Sequence, residues 1–529
     1  MLDTSILDAL REYTSRMSHD VTLVLGKGEH ASRAELLAML QDVASVSPRI
    51  SLIEEDSGLS TPLCSAASFT LLQEGRETGI VFSGVPGGHE FSSLVLALLQ
   101  SGGVPLKLDP GIQAAIRSIQ RPLHFETVVS LSCHNCPDVV QALNQMALLN
   151  PLINHEMIDG GVFPELVEQR EIQGVPAVFL DGKPFANGKL DVGQIVEKVL
   201  ALIPADQRAV VAPAADESVI QDVVVVGGGP AGVAASVYAA RKGLSVMLIA
   251  DRLGGQVKDT MGIENLISVP RTTGPELSNA LEAHLGEYPV TVRKHLKVHS
   301  LEKGEIKSLV LSSGEVVRAR TVIVATGARW RELGVPGERE NIGHGVAYCP
   351  HCDGPFFKGK DVAVIGGGNS GVEAALDLAG IVNSVTVLEY LPELKADKVL
   401  VDQLQNTSNI TVHTNVATRT INAQEGKVVS LSLTNRASGE ELELPLAGVF
   451  IQIGLVPNSA FLKDVVELTR FGEVVINDRC ETSEPGIFAC GDVTTVPWKQ
   501  IVIAVGEGAK ASLAAFEHLL RSRGAAGTA

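Results

Sequence analysis

Val223-Val224-Val225-Val226-Gly227-Gly228-Gly229-Pro230-Ala231-Gly232 decides the fold of the C-terminal half of the chain. Four β-branched residues read as a buried strand. The G-x-G-x-x-G that follows opens a helix, read over Ala234 to Arg241. In that arrangement Gly227 makes the tight turn, Gly229 lets the backbone approach a pyrophosphate, and Gly232 lets helix and strand pack closely. The pyrophosphate then sits at the positive end of the helix. A second strand, Ser245 to Ala250, ends on Asp251, 19 residues after Gly232, where an acid can hold ribose hydroxyls. A bare glycine-rich turn explains the glycines alone but not the strand, helix and acid together.

The pattern returns at Val362-Ala363-Val364-Ile365-Gly366-Gly367-Gly368-Asn369-Ser370-Gly371, its first glycine 139 residues after Gly227. That interval is too long for a solenoid period and fits two nucleotide-binding domains. Here Gly366, Gly368 and Gly371 take the three glycine roles. The second strand, Ser384 to Leu388, ends at Glu389, 18 residues after Gly371. A carboxylate at that place binds a 2′-hydroxyl and repels a 2′-phosphate. Tyr390-Leu391-Pro392 follow without an arginine, so NADH is favoured over NADPH. The plainer reading is a solvated strand end.

With 529 residues the chain exceeds a single core. Upstream of the glycine motifs two blocks repeat one order. In residues 1–103 an amphipathic helix (Ile6, Leu7, Leu10) precedes a strand, Val21 to Leu25, and a helix around Ala34 to Val43. In residues 104–202 a strand, Phe125 to Leu131, leads into Cys133-His134-Asn135-Cys136 and a helix, Asp138 to Leu149. Val175-Pro176-Ala177-Val178-Phe179-Leu180 then turns at Asp181-Gly182 as a hairpin. Strand, CxxC, helix and a later strand led by proline is the order of a thioredoxin fold, with Pro176 expected in a cis bond beside the pair. The first block has no CxxC and reads as a thioredoxin-like unit without redox chemistry. Residues 203–219 lack amphipathic periodicity and read as a linker.

The net charge of −18 repels nucleic acid and anionic membrane surfaces. No apolar run approaches the roughly 18 residues of a membrane span, and the N-terminus shows no signal peptide, so a cytoplasmic location is expected. Seven cysteines in such a length are no extracellular scaffold. Four form two CxxC pairs: Cys133/Cys136 and Cys349/Cys352, the latter in Tyr348-Cys349-Pro350-His351-Cys352-Asp353-Gly354. Zinc would need all four thiolates gathered across 213 residues and a linker. Structural zinc sites use compact pairs, so no metal is expected. The remaining reading is two dithiol/disulfide centres. Cys133, at a helix N-terminus where the dipole lowers a thiol pKa, is the attacking thiol, and Cys136 resolves. Asp353 can supply a proton to the other pair. Cys64, Cys480 and Cys490 read as buried small hydrophobes.

From residue 220 onward the chain resembles the low-molecular-weight thioredoxin reductase class, through both GGGxxG motifs, Gly254-Gly255-Gln256, Ala325-Thr326-Gly327-Ala328, Cys349-Pro350-His351-Cys352-Asp353 and Gly491-Asp492. Over residues 1–520 it resembles the F subunits of alkyl hydroperoxide reductases as a family, adding Gly88-His89-Glu90-Phe91, Leu131 to Asp138, and Val496-Pro497-Trp498-Lys499-Gln500. The resemblance implies an α/β chain of tandem thioredoxin-like folds followed by two Rossmann-like domains. The FAD domain would span 220–328 and 447–529, with an NADH domain, 329–446, inserted. FAD contacts would come from Gly227, Gly229, Gly232, Asp251, Gln256, Asn265, Gly327, Asp492, Lys499, Gln500 and Ile501. Cys352 would face the flavin, Cys349 would be the interchange thiol, Asp353 the proton donor or acceptor, and Glu90 a base near Cys133/Cys136. Electrons would pass from NADH through FAD, Cys349/Cys352 and Cys133/Cys136 to the disulfide of a two-cysteine peroxiredoxin, in a homodimer. Domain rotation about connections near Ala328 and Leu446 would let the two pairs meet. Two departures stand out. Cys490 occupies the place of a small residue before Gly491, and Ala66-Ala67-Ser68-Phe69 lacks the proline of a redox-active unit. Rival readings are an NADH oxidase, a general thioredoxin reductase-like enzyme, or a zinc-stabilised adaptor.

Overall fold

The computed structural model describes residues 2–55, 59, 63, 65–172, 174–203, 219–260 and 262–526, with all their side chains but those of 259, 351, 352 and 523–526. Cys64, the linker at 204–218 and the side chain of Cys352 therefore lie outside the described residues. The chain forms two compact units, one of Met1–Val219 with Lys294–Lys297 and Val310–Val317, the other of the remaining chain from Ile220.

In the first unit the two N-terminal blocks merge. Their strands form one eight-stranded sheet in the order Ile50–Ile53, Val21–Leu25, Ser68–Gln73, Arg76–Ser83, Ile153–Asp159, Leu123–Val129, Ala177–Leu180, Lys183–Asn187. The seam is a parallel pairing of Ile80 to Ser83 with His155 to Ile158. The sequence suggests two separate units because each block carries its own strand-helix order. A strand at the edge of either block would expose a row of unpaired N–H and C=O groups, and pairing the two edges satisfies both. The core is also common. Phe69, Phe82 and Leu94 from the first block cluster with Cys136, Val140 and Met157 from the second. Each large apolar side chain among them contributes about 1.5–3 kcal/mol when fully buried. The expected hairpin is present, with both turn residues, Asp181 (φ 51°) and Gly182 (φ 73°), left-handed as a two-residue turn requires. The Val175–Pro176 bond is cis.

The second unit holds two nucleotide-type sheets. In the first, Val246–Ala250, Ile220–Val226, Val316–Val324 and Ile487–Ala489 lie side by side and parallel. The second is a five-stranded parallel sheet, ordered Val346–Ala347, Gly448–Ile451, Asp361–Ile365, Ser384–Leu388, Ile410–His413. Strands Val416–Gln424, Lys427–Asn435 and Glu441–Pro445 form a separate antiparallel sheet. Two short antiparallel strands, Ala328–Trp330 and Leu455–Pro457, carry the chain between the two domains. The break read at 446/447 is thereby corrected. Gly448–Ile451 pairs with Val362 to Ile365 in the second sheet, so the chain returns to the first only after Ile451. The reason is burial: all four residues are buried, as a central strand requires, and an apolar tetrapeptide does not declare which sheet it joins.

Candidate functional site

Parallel strands bring their carboxyl ends to one side of a sheet, and ligands bind there. In the first nucleotide-type sheet those ends carry the Gly227–Gly232 loop, Asp251, Gly327 and Asp492 after four neighbouring strands. Gly227 has φ 117°, and a Cβ there would strike the Ala325 carbonyl. A Cβ on Gly232 would strike the Gly227 carbonyl, so only glycine lets helix Pro230–Arg241 start so close to the strand. Gly229, the N-cap, faces open space and gives that helix no side-chain cap. The first N–H groups of the helix are thus left for an anion, and the cradle fits a pyrophosphate.

The other residues named from the resemblance fall into two groups around this loop. The Asn265 amide donates to Gln500 Oε1 at 3.1 Å. Lys499 Nζ reaches the Thr494 carbonyl and Glu473 Oε1, and helix Ile501–Ala526 begins beside them. Asp492 is pushed above the usual carboxylate range by burial and held down in part by Lys499. Gln256 lies in the turn Gly255–Asp259, where its amide donates to the Ala328 carbonyl and accepts from the Trp330 indole N–H. It therefore touches one of the two strands that link the domains, which its position in Gly254-Gly255-Gln256 does not announce.

The second glycine loop repeats the geometry. A Cβ on Gly371 would strike the Gly366 carbonyl, Gly366 has φ 122°, and Gly368 faces open space as the uncapped N-cap of helix Asn369–Ala379. Glu389 follows strand Ser384–Leu388 and is 8% exposed. Its carboxylate accepts from the Gly367 N–H at 2.5 Å and the Leu391 N–H at 2.7 Å, so it is fixed against the loop rather than solvated. Arg436, which no sequence motif marks, lies with its guanidinium carbon 3.7 Å from the Tyr390 ring centroid.

Cys349 follows the edge strand Val346–Ala347 of the same sheet and is disulfide-bonded. Burial lifts the Asp353 carboxyl from 3.8 to about 6, against a backbone hydrogen bond from Cys349 that lowers it. An acid poised there can hold and release a proton near neutrality. A further network, missed in the sequence, holds the residue before Cys349. Glu338, 1% exposed, accepts from the Leu333 N–H (2.8 Å), the Gly334 N–H (2.6 Å) and the Tyr348 hydroxyl (2.7 Å). The Tyr348 ring stacks on Trp330, centroids 6.0 Å apart, and its carbonyl accepts from Gln452 Nε2 at 2.7 Å. Only the run Pro336-Gly337-Glu338 hints at this, as a turn followed by an acid.

In the first unit Cys133 and Cys136 form a disulfide at the start of helix Cys136–Leu149. Cys136 is fully buried and Cys133 only partly, with Cys133 Sγ accepting from the Cys136 N–H at 3.1 Å and lying 3.8 Å from the Val175 carbonyl. Glu90 comes from the other block, in the turn Gly88–Glu90. That turn lies against the CxxC loop: the His89 N–H donates to the Leu131 carbonyl at 3.0 Å, and the His89 and His134 rings are 4.1 Å apart. Glu90 is fully buried, with neither oxygen in hydrogen-bond geometry with a described partner. Burial lifts its carboxyl from 4.5 to about 7, Ser93 pulls it down, and Asp159 adds to the rise. Cys480 and Cys490 are free and fully buried. Cys480 is not merely apolar filling, since its Sγ lies 3.1 Å from Glu507 Oε2.

Residues 221–508 match the pyridine nucleotide-disulphide oxidoreductase family, and residues 125–201 match a thioredoxin domain. The chain is 49% identical over 526 residues to the F subunit of alkyl hydroperoxide reductase in Pseudomonas aeruginosa, covering 99% of each. It is 47% identical over 527 residues to the Escherichia coli protein of that name, covering 99% of this chain and all of the relative. A Bacillus subtilis protein named NADH dehydrogenase is 47% identical over 522 residues, at 99% and 100% coverage. Among solved structures, thioredoxin reductase from Streptococcus pyogenes aligns with a TM-score of 0.55 and 36% identity, covering 57% of this chain and 99% of that one. The chain belongs to the pyridine nucleotide-disulphide oxidoreductases, among the F subunits of alkyl hydroperoxide reductases, and is a disulfide oxidoreductase that works with a flavin and a pyridine nucleotide.

Proposed function

We propose that the chain is an NADH-dependent reductase of a two-cysteine peroxiredoxin, with FAD at the first glycine loop and NADH at the second. The observation that carries this reading is the partly exposed Cys133 beside a buried Cys136 and a buried Glu90. That is an outward-facing dithiol centre, which an enzyme ending its electron path on the flavin does not need. When bound, a flavin and a nicotinamide would supply hydride chemistry and the two electrons that the Cys349/Cys352 pair needs; the chain supplies the rest. Gly227–Gly232 with Asp251, Asn265, Gly327, Asp492 and Lys499 to Ile501 holds the first nucleotide, and Gly366–Gly371 with Glu389 the second.

The thiol steps balance in electrons and protons. Cys349, as thiolate, attacks the Cys133–Cys136 disulfide to give a mixed disulfide. Cys352 then attacks Cys349, re-forming their disulfide and leaving Cys133 and Cys136 reduced. Asp353 holds the proton that the first pair releases, and Glu90 holds one at the second. Cys133 attacks the peroxiredoxin disulfide, Cys136 resolves the mixed disulfide, and the partner leaves as a dithiol. In this class Cys349/Cys352 lies against the flavin, so it must turn outward to meet the other pair. The pivot is the pair of strands Ala328–Trp330 and Leu455–Pro457, in place of connections near Ala328 and Leu446. Crosslinking the two nucleotide domains then abolishes turnover with peroxiredoxin while sparing flavin reduction.

The working form is a cytoplasmic homodimer that engages neither nucleic acid nor membrane; among the described residues no helix is long and apolar enough to cross a bilayer. The test is to mix the purified protein with NADH, candidate peroxiredoxins and peroxide and follow NADH consumption. Consumption that requires the peroxiredoxin supports the reading. Consumption that proceeds equally with oxygen alone favours an NADH oxidase and overturns it.

A further inference from the structure

Tyr390-Leu391-Pro392 contains no arginine, yet the fold brings one to that place from 46 residues away. Arg436 follows strand Lys427–Asn435 of the antiparallel sheet. Its guanidinium covers the Tyr390 ring at 3.7 Å, and Nη1 donates to the Tyr390 carbonyl at 2.7 Å. Its own backbone is pinned as well. The Arg436 N–H donates to the Asn415 carbonyl at 2.6 Å, and the Asn415 N–H donates to the Leu391 carbonyl at 2.9 Å. Asn415 adopts a left-handed φ of 57° to make this connection. Tyr390 remains 56% exposed, a large surface for an aromatic side chain beside a glycine loop.

Glu389 and Arg436 thus flank one residue with opposite charges. In dinucleotide folds the acid at the end of the second strand takes the ribose 2′-hydroxyl, and an arginine near it accommodates a 2′-phosphate. The bond to Tyr390 uses one of the five N–H donors of the guanidinium, and a planar fork suits a phosphate better than a hydroxyl. We infer that Arg436 is a specificity-determining residue: a latent 2′-phosphate receptor whose use Glu389 prevents, and which with Tyr390 forms the adenosine end of the site. This rests on the reading of Gly366–Gly371 as the pyridine nucleotide loop. Glu389 sets the preference for NADH, and Arg436 sets how far NADPH is accepted once that acid is neutralised.

The test uses the flavin-loaded full chain, an artificial electron acceptor, and both nucleotides. Glu389→Ser, Arg436→Ala and the double variant are compared, with Glu389→Gln as a second neutral variant should Glu389→Ser not fold. Loss of the acid should raise kcat/KM for NADPH relative to NADH about tenfold to a hundredfold, the range of one charge-assisted contact. Adding Arg436→Ala should cancel most of that gain. Arg436→Ala alone should raise KM for NADH a few-fold with kcat unchanged, because the ring loses its stacked cation while the chemistry is untouched. Inhibition against NADH by adenosine 2′,5′-bisphosphate and by ADP reads the same subsite without turnover. The bisphosphate should gain on ADP in Glu389→Ser, and that gain should vanish in the double variant. An NADPH gain that is equal with and without Arg436 overturns the inference. If neutralising Glu389 alters KM for neither nucleotide, the reading of the glycine loop itself fails.

Discussion

Glu90 couples the stability of the first unit to pH with a sign and a size that can be checked. Its carboxyl is fully buried and lifted from 4.5 to about 7, chiefly by burial. A difference of that extent corresponds to about 3 kcal/mol. Between those two values the folded chain keeps a proton that the unfolded chain releases. The stability Glu90 contributes is therefore complete below pH 4.5 and is lost as pH rises through about 7. Glu90→Gln keeps the shape and removes the titration. The wild-type unit should lose about 3 kcal/mol relative to the variant between about pH 4 and pH 8. Asp159, also raised by burial, pulls in the same direction, whereas the buried His155, lowered from 6.5 to about 3 by burial, pulls the other way, so it is the difference between wild type and variant that isolates Glu90. Trp330 and Trp498 both lie outside this unit, so tryptophan fluorescence does not report it. Urea-dependent alkylation of the buried Cys136 in a Cys133→Ser background, read by peptide mass, does. Equal slopes with and without Glu90→Gln would refute the argument that burial keeps this carboxyl protonated.

Other expectations concern the relay and its supports. Cys133→Ser should keep nicotinamide oxidation with artificial acceptors and lose peroxiredoxin reduction; retained reduction removes Cys133 from the path. Gly232→Ala drives a methyl group into the Gly227 carbonyl, so the purified protein should carry far less flavin per chain by visible absorbance than wild type. Equal flavin content would show that the loop relaxes at no cost. Tyr348→Phe removes one of three donors to the buried Glu338 and should destabilise the second nucleotide domain by about 1.5–3 kcal/mol, seen as a lower unfolding midpoint in urea. An unchanged midpoint would mean that water replaces the hydroxyl.

The features legible in the sequence are those with short-range physical causes. Gly232 and Gly371 are glycines because a helix start crosses a strand end five residues earlier, and that spacing is written in the motif. The cis Pro176 and the hairpin at Asp181-Gly182 are likewise local. What escaped involves partners distant in the chain. The pairing of Arg76–Ser83 with Ile153–Asp159 depends on two edges that each block alone would leave open. Gly448–Ile451 joins a sheet whose other strands begin 38 to 102 residues before it. Arg436 reaches Tyr390, and Glu338 reaches Tyr348, through folded geometry that no window of sequence contains.

The shared eight-stranded sheet has a practical consequence for anyone who would dissect or re-engineer this chain. The first block carries no redox cysteine pair of its own, yet it supplies Glu90 and most of the core cluster that includes Cys136. A cut near residue 103 would not release a portable electron carrier; it would open the Arg76–Ser83 seam and strip Cys136 of Phe82 and Leu94. A chimera that grafts this carrier onto another reductase must therefore take its silent half along.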